Sequence, residues 1–362
     1  MTLTRYLVAC FLRAFLAVQA VIALLVILAA LVENLRRFGD AAARDAFALT
    51  LLQAPEALYQ ALPLVLMLAS LVTFLRLART SELVVMRAAG VSALRLVAVP
   101  ALVALMLAAA MVAVVNPIVA AAIRRGVEVE DALRGREPSR LSVSREGLWL
   151  RQADPAGQTV IQAARASPDG GALSHVRMHR FDRDGMLYAR IEAEAARLEP
   201  GAWALEGARR WDREPDGRFG VAGPPGPLRL PTDLTREQIL DSFAPPETLS
   251  FWALGRFIAQ MEEAGLSGRR HRLFLQSELA KPALFSAMVL IGAAFALRPA
   301  RFGQVGVMML LAVLAGFALF FLKDFAESLG ASGAIPLMVA AWTPPVAAIL
   351  LALGLLLHLE DG

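Results

Sequence analysis

The sequence predicts an α+β membrane protein in which six transmembrane helices flank, three on each side, a central all-β domain of jelly-roll-like type. Three observations predict it. The chain is 57% hydrophobic with a mean hydropathy of +0.56, above the range of an ordinary soluble domain. Six stretches carry no charge, and each has, with its flanks, the length a helix needs to cross roughly 30 Å of hydrocarbon. The remaining charge is concentrated: residues 124 to 281 hold 47 of the 68 charged side chains. The chain therefore divides into spans one to three over 1–123, a polar domain over 124–247, and an amphipathic helix with spans four to six over 248–362.

The first span lies between Arg13 and Glu33. Its apolar part is too long for the core of a signal peptide and no small-residue cleavage site precedes Glu33, so it is expected to be retained. Cys10, the single cysteine, has no partner for an internal disulfide and leaves the redox compartment open. The second span runs between Glu56 and Arg76. ARTSELVVMRAAGVSALR, residues 78 to 95, then follows, too short for a bilayer and too apolar for a solvated loop. Thr80 or Ser81 can cap a helix there, Glu82 favours its positive end, and Gly90 can close it in a left-handed turn, giving a short helix at 81–90. Its apolar body suits either a partner's groove or a connector packed beneath the chain's own spans. The third span lies between Arg95 and Arg124.

In the central domain, RLSVSREGLWLRQ, TVIQAARA, ALSHVRMHRFD, MLYARIEAEAARLE and AWALEGARRWD read as strands. Separators dense in Gly, Pro and Asp mark the turns. Their regular spacing predicts a sandwich or jelly-roll, with VAGPPGPLRLPTD as an extended exit. TLSFWALGRFIAQMEEAG follows, an amphipathic helix capped by Thr248 or Ser250 and stopped at Gly265. It suits a membrane surface or the flank of its own domain. The fourth span, between Lys281 and Arg298, is expected to start near Arg270 and to carry a kink at Pro282. The fifth lies between Arg301 and Lys323, and the sixth runs from Glu327 to the C-terminal acids.

Arginine sets the expected orientation. With the N-terminus inside, the inner short segments carry Arg5, Arg13, Arg76, Arg79, Arg87, Arg95, Arg298 and Arg301, against Arg36, Arg37, Arg44 and Lys323 outside. This favours cytoplasmic termini and a central domain outside the cytoplasmic membrane. The sequence pI near 9.8 is thus a topological signal and does not point to nucleic acid.

Several chemistries are missing. No G-x-x-x-x-G-K-[ST] phosphate loop occurs, and Lys281 and Lys323 are the only lysines. His175 and His179 share a strand face, but nothing nearby completes a metal-ligand set. No nucleophilic triad stands out, and no acidic pair is expected within a span.

SELVVMRAAGVS, the opening LTRYLVACFLRAF, the three-plus-three spans and the central β domain together resemble the lipopolysaccharide export permease family, LptF and LptG. The resemblance covers essentially the whole chain. GLWLRQ at 147–152 and LRRFGD at 35–40 bring it nearer the LptG branch. It implies that the 81–90 segment is a coupling helix, with Glu82, Leu83, Met86, Arg87 and Gly90 on the motif that docks an LptB-type ATPase dimer. ATP and Mg would belong to that ATPase, and this chain would bind no cofactor and hydrolyse nothing alone. The resemblance also implies an LptF-type permease as heterodimer partner and extraction of lipopolysaccharide from the inner membrane. The lipid would pass to a periplasmic bridge of LptC and LptA type.

Such an amphiphile needs an apolar wall and cations at its rim. Phe317, Phe320 and Phe321 can supply the first, and Arg36 and Arg37, beside Glu33, the second. The alternative for the arginines is ordinary contact with membrane lipid headgroups. The sequence departs from the family at a lysine one turn before that pair, replaced here by apolar surroundings near Ala30. Two rival functions stand beside this one: an ABC permease for another lipid or a lipoprotein, and a membrane scaffold with a periplasmic β domain and no ATPase.

Overall fold

A computed structural model describes residues 3–38, 43–133, 142–144, 147–154, 157–167, 171–214, 218–232, 234–235, 245–263, 267–297 and 305–361. Arg298 and Arg301 of the orientation argument, and Gly265, lie outside the described residues. The chain forms two compact units, Met1–Glu130 with Arg272–Gly362, and Asp131–His271.

The first unit is helical. It contains α1 (Leu3–Phe38), α2 (Ala43–Arg79), the short α3 (Glu82–Ala88), and α4 (Ala93–Ala110), which runs through a π turn at Met111–Val115 into α5 (Asn116–Leu133). After the second unit come α7 (Arg269–Ala296), α8 (Val305–Ser332) and α9 (Leu337–Asp361). Six of these helical stretches are long and apolar enough to cross a membrane, the π-linked pair counting as one. α7 begins at Arg269, beside the start expected near Arg270. Val21, Leu24, Leu25 and Leu28 of α1 are more than half exposed, and a helix apolar on its outer face needs hydrocarbon rather than water there.

α2 and α7 form the interior of this unit. A Cβ at Gly292 of α7 would sit 2.4 Å from the Met67 carbonyl oxygen, and one at Gly316 of α8 would sit 2.4 Å from the Met67 sulfur. Glycine at both positions lets α7 and α8 close on α2, as small residues do between membrane helices. At one end Leu7, Phe74, Leu83, Leu96, Leu297 and Leu356 share a buried cluster, so α3 is packed into the same core as the long helices.

The second unit is a seven-stranded antiparallel sheet: β1 (Ser142–Ser144), β2 (Gly147–Asp154), β3 (Gly157–Ala166), β4 (Ala172–Asp182), β5 (Leu187–Glu199), β6 (Ala202–Asp212) and β7 (Gly226–Pro231). Among the described residues the strands pair in chain order, an up-and-down meander without the crossing connections of a jelly-roll. The reason is local: from β1 to β6 only two to five residues separate consecutive strands, so each pairs with the strand it follows. VAGPPGPLRLPTD, expected as an exit segment, supplies β7, which pairs with β6.

Two features bend the sheet over its core. Burial alternates along β3 to β6, but in each of these four strands it once skips two residues instead of one: Ala163 to Ala166, Leu173 to Val176, Ala193 to Ala196, and Leu205 to Ala208. The pairing Ala163–Val176, Val176–Ala193 and Ala195–Glu206 aligns these steps in one transverse row. His175 (φ 50°) and Gly207 (φ 64°) occupy left-handed backbone in that row. The row is a crease, since an irregular residue bends its strand and increases the local twist. In addition, Gln152 of β2 donates to the Pro231 carbonyl at 3.2 Å and accepts from the Thr232 hydroxyl at 2.7 Å. Five strand spacings separate β2 from β7, about 24 Å in a flat sheet, so the sheet must curl for these groups to meet.

The curled face is filled. Trp203, Leu148, Ile161 and Ile191 are at most 1% exposed, and the cavity beside Trp203 measures only about 10 Å³. The amphipathic helix is α6 (Phe251–Glu263), whose Ser250 hydroxyl caps the Ala253 amide. Met261 is buried in the sheet's core with Phe257 against it. The helix therefore groups with the sheet rather than with the last three spans, as the second of its two expected placements has it. The sheet unit begins at Asp131.

Candidate functional site

The short helix α3 is built by its ends. Ser81 adopts left-handed backbone (φ 59°) and its side chain makes no capping bond, contrary to the expectation for Thr80 or Ser81. The Thr80 hydroxyl instead donates forward to Glu82 Oε1 at 3.0 Å, while the Thr80 amide donates to the Arg76 carbonyl at 3.0 Å. At the other end Gly90 (φ 82°) closes the helix as expected: its amide donates to the Arg87 carbonyl and the Val91 amide to the Met86 carbonyl. Met86 and Val91 both pack against the buried cluster, the apolar contact that accompanies such a closure.

Fixed at both ends, α3 has two faces. Leu83 is 8% exposed and points inward with Met86, so Leu83 anchors the helix. Val84 and Val85 are 65% and 67% exposed, and Arg87 and Ala88 are exposed beside them. Of the two alternatives left open for this segment, the structure shows the connector on one face and leaves the other face uncovered. The inner face is a connector packed on the chain's own helices. The outer face is an uncovered apolar surface with one cation.

Glu82 stands at the junction. Tyr6 of α1 donates its hydroxyl to Glu82 Oε2 at 2.5 Å, across 76 residues of sequence. That bond first, the Thr80 hydroxyl second, and the nearby Arg76 charge hold the Glu82 carboxyl below the usual carboxylate range, against a smaller opposing effect of burial. Tyr6 was missed as a site residue, although it lies in LTRYLVACFLRAF, because nothing in the sequence says that it meets residue 82.

The remaining site residues fall into two groups. At the end of α1, Arg37 donates to Glu33 at 2.7 Å with both side chains about half exposed, and Arg36 is exposed beside them. Both arginines lie in the last helical turn, where the helix dipole favours cations. Between them and the core, Asn34 is 2% exposed and donates to Thr50 and Gln53 of α2, pinning the two helices together. On α8, Phe317 and Phe321 are 45% and 68% exposed, while Phe320 is half-buried and meets Phe321 edge to face at 6.4 Å. Among the described residues no ring contact, hydrogen bond or ion pair joins these phenylalanines to the α1 group.

A second set was missed altogether. Glu278 of α7 is 1% exposed, accepts from the Tyr59 hydroxyl of α2 at 2.7 Å, and pairs with Lys281 at 2.5 Å. The Lys281 ammonium lies 3.8 Å from the centre of the Tyr59 ring. On α8, Lys323 pairs with Glu327 at 2.9 Å, and Glu327 accepts from Ser277 of α7 at 2.6 Å. Spans counted by missing charge began at Lys281, so the turn before it escaped attention. Pro282 was the available signal, since it leaves the Glu278 carbonyl without a helix donor.

The chain can be compared with known proteins on this basis. Residues 5–358 match the family model described as "Lipopolysaccharide export system permease LptF/LptG". "Lipopolysaccharide export system permease protein LptG" of Escherichia coli (strain K12) is 24% identical over 337 residues, covering 90% of each chain. The protein of the same description from Escherichia coli O6:H1 (strain CFT073) gives the same identity and coverage. Neither the helical unit nor the sheet holds a group of three or more metal-ligating side chains among the described residues. A match from residue 5 to residue 358, spanning both units and the short helix between α2 and α4, establishes that the chain belongs to the lipopolysaccharide export permease family LptF/LptG.

Proposed function

We propose that this chain is the LptG-type permease subunit of an ABC transporter that extracts lipopolysaccharide from the inner membrane and passes it to a periplasmic bridge. α3 carries the proposal. Its outer face, with Val84 and Val85 uncovered beside Arg87, suits the groove of a cytoplasmic ATPase. Its inner face reaches the core shared by the long helices through Leu83. A push on the outer face therefore acts on the helix bundle rather than on a loose loop. An LptB-type ATPase dimer would supply ATP hydrolysis with its Mg, and an LptF-type permease would complete the membrane pair.

In this arrangement the termini and α3 are cytoplasmic and the sheet is periplasmic, next in line to LptC and LptA-type proteins. Arg36 and Arg37 meet the phosphates of the lipid, and the exposed Phe317 and Phe321 meet its acyl chains. The filled core beside Trp203 leaves the rim of the curled sheet, rather than its closed interior, as the surface available to an acyl chain in this state.

Purification of the full-length chain in mild detergent tests the proposal. An ATPase and lipopolysaccharide should co-purify, the ATPase in stoichiometric amount. Val84→Asp with Val85→Asp should remove the ATPase and leave the lipid. Recovery of the intact chain with no ATPase would favour the scaffold, and recovery with an ATPase and a lipoprotein would favour the rival permease.

A further inference from the structure

We propose that Tyr6 is a positioning residue: its hydrogen bond to Glu82 is a strut that ties the beginning of α1 to the coupling helix, so that movement of α3 is carried into the first span. The proposal deepens the permease function above and rests on it for the identity of α3.

α3 follows α2 after two residues, and its amino end is held to α2 by Thr80, whose amide bonds the Arg76 carbonyl and whose hydroxyl bonds Glu82. Movement of α3 therefore reaches α2 through the chain itself. α1 has no such covalent route, since 43 residues separate Phe38 from Glu82 only by way of the whole of α2. The Tyr6–Glu82 bond gives α1 a direct polar link to α3, and Leu7, one residue on, is 1% exposed in the cluster that also buries Leu83. Polar and apolar contacts thus coincide at one point, which makes α1 follow α3 rather than slide over it.

Glu82 is suited to this role because both of its oxygens are engaged within the chain, Oε2 by Tyr6 and Oε1 by Thr80. Hydrogen bonds to an ionised group are stronger than neutral ones, and the depressed proton affinity of Glu82 keeps it ionised at neutral pH. The phenol is the only part of Tyr6 the strut needs, which separates it from ordinary packing.

The test uses the full-length chain in lipid nanodiscs, with and without the ATPase that co-purifies. Amide exchange at 83–89 should quicken about tenfold in Tyr6→Phe, the scale of losing one charge-assisted bond. Glu82→Leu should quicken it similarly, and the double variant should add little to either, because the two groups act as a unit. With the ATPase present, Tyr6→Phe should retain it in stoichiometric amount yet export less lipid per ATP hydrolysed. Unchanged exchange in Tyr6→Phe, or additive effects in the double variant, would overturn the strut. Quickened exchange with undiminished export per ATP would overturn the transmission into α1. The exchange measurement needs no ATPase, so failure of the wild-type chain to bind one would refute the permease function while leaving the strut to be judged by exchange.

Discussion

In the sheet unit, ion pairs such as Arg197–Glu206 and Arg229–Glu199 lie on the outer face with side chains between 43% and 74% exposed. In the helical unit, Glu278 is 1% exposed and its partner Lys281 is 17% exposed. The first kind is numerous, and water screens it; an exposed pair is worth about 0–1 kcal/mol. The second kind is rare, and removing one partner leaves a charge stranded in a low-dielectric interior. Most of the chain's charge is therefore in the unit where each charge matters least. What matters energetically is how completely a group has been withdrawn from water.

That contrast can be broken most sharply at Glu278. Glu278→Ala should destabilise the helical unit by about 3–5 kcal/mol, because Lys281 is left buried without its counter-charge and Tyr59 loses its acceptor. Glu278→Met with Lys281→Met should recover most of that loss, since two apolar groups of similar volume leave no charge behind. Thermal unfolding in nanodiscs reads both, and equal losses for the single and double variants would show that the pair is not the source of the effect.

A smaller effect is expected within the sheet, at its crease. Gly207→Ala should cost about 1–2 kcal/mol, as a Cβ is disfavoured in left-handed backbone. The new Cβ would also stand 3.2 Å from the Glu194 side chain. Denaturant unfolding followed by the fluorescence of buried Trp203 measures it, and a loss below a few tenths would mean that the crease is not strained. The smallest effect belongs to the outer face: Arg197→Ala should change stability by less than about 0.5 kcal/mol, and even that should fade in high salt. A loss comparable to that of Glu278→Ala would erase the distinction between the units.

Much of this molecule was legible in advance. The six spans follow from missing charge, and five segments read from alternation between Gly, Pro and Asp turns cover six of the seven strands among the described residues. Gly90 was legible as a helix stop because left-handed backbone nearly demands glycine. Other features were not. Ser81 takes left-handed backbone without being glycine, so the expected cap is absent. The sandwich or jelly-roll expected from strand spacing is a meander, because spacing records where strands end and not which strands become neighbours. The phase step in β3 to β6 looks, in one strand at a time, like a lapse in alternation.

The coupling-helix residues show the same division. Glu82, Leu83, Met86, Arg87 and Gly90 could be placed on a short helix from residues alone, but not assigned to its faces. Leu83 turns inward and Val84 and Val85 outward because the preceding and following helices fix the rotation of α3 about its axis. Sequence by itself determined the local quantities: which segments lack charge, where a turn can form, which residues can begin or end a helix. Those depend on neighbours a few positions away. The tertiary structure alone decided that Tyr6 meets Glu82, that Tyr59 meets Glu278 across 219 residues, and that the phase steps of four strands align into one crease. Such meetings are set by how whole helices and strands pack against one another, and packing brings together positions that no spacing along the chain relates.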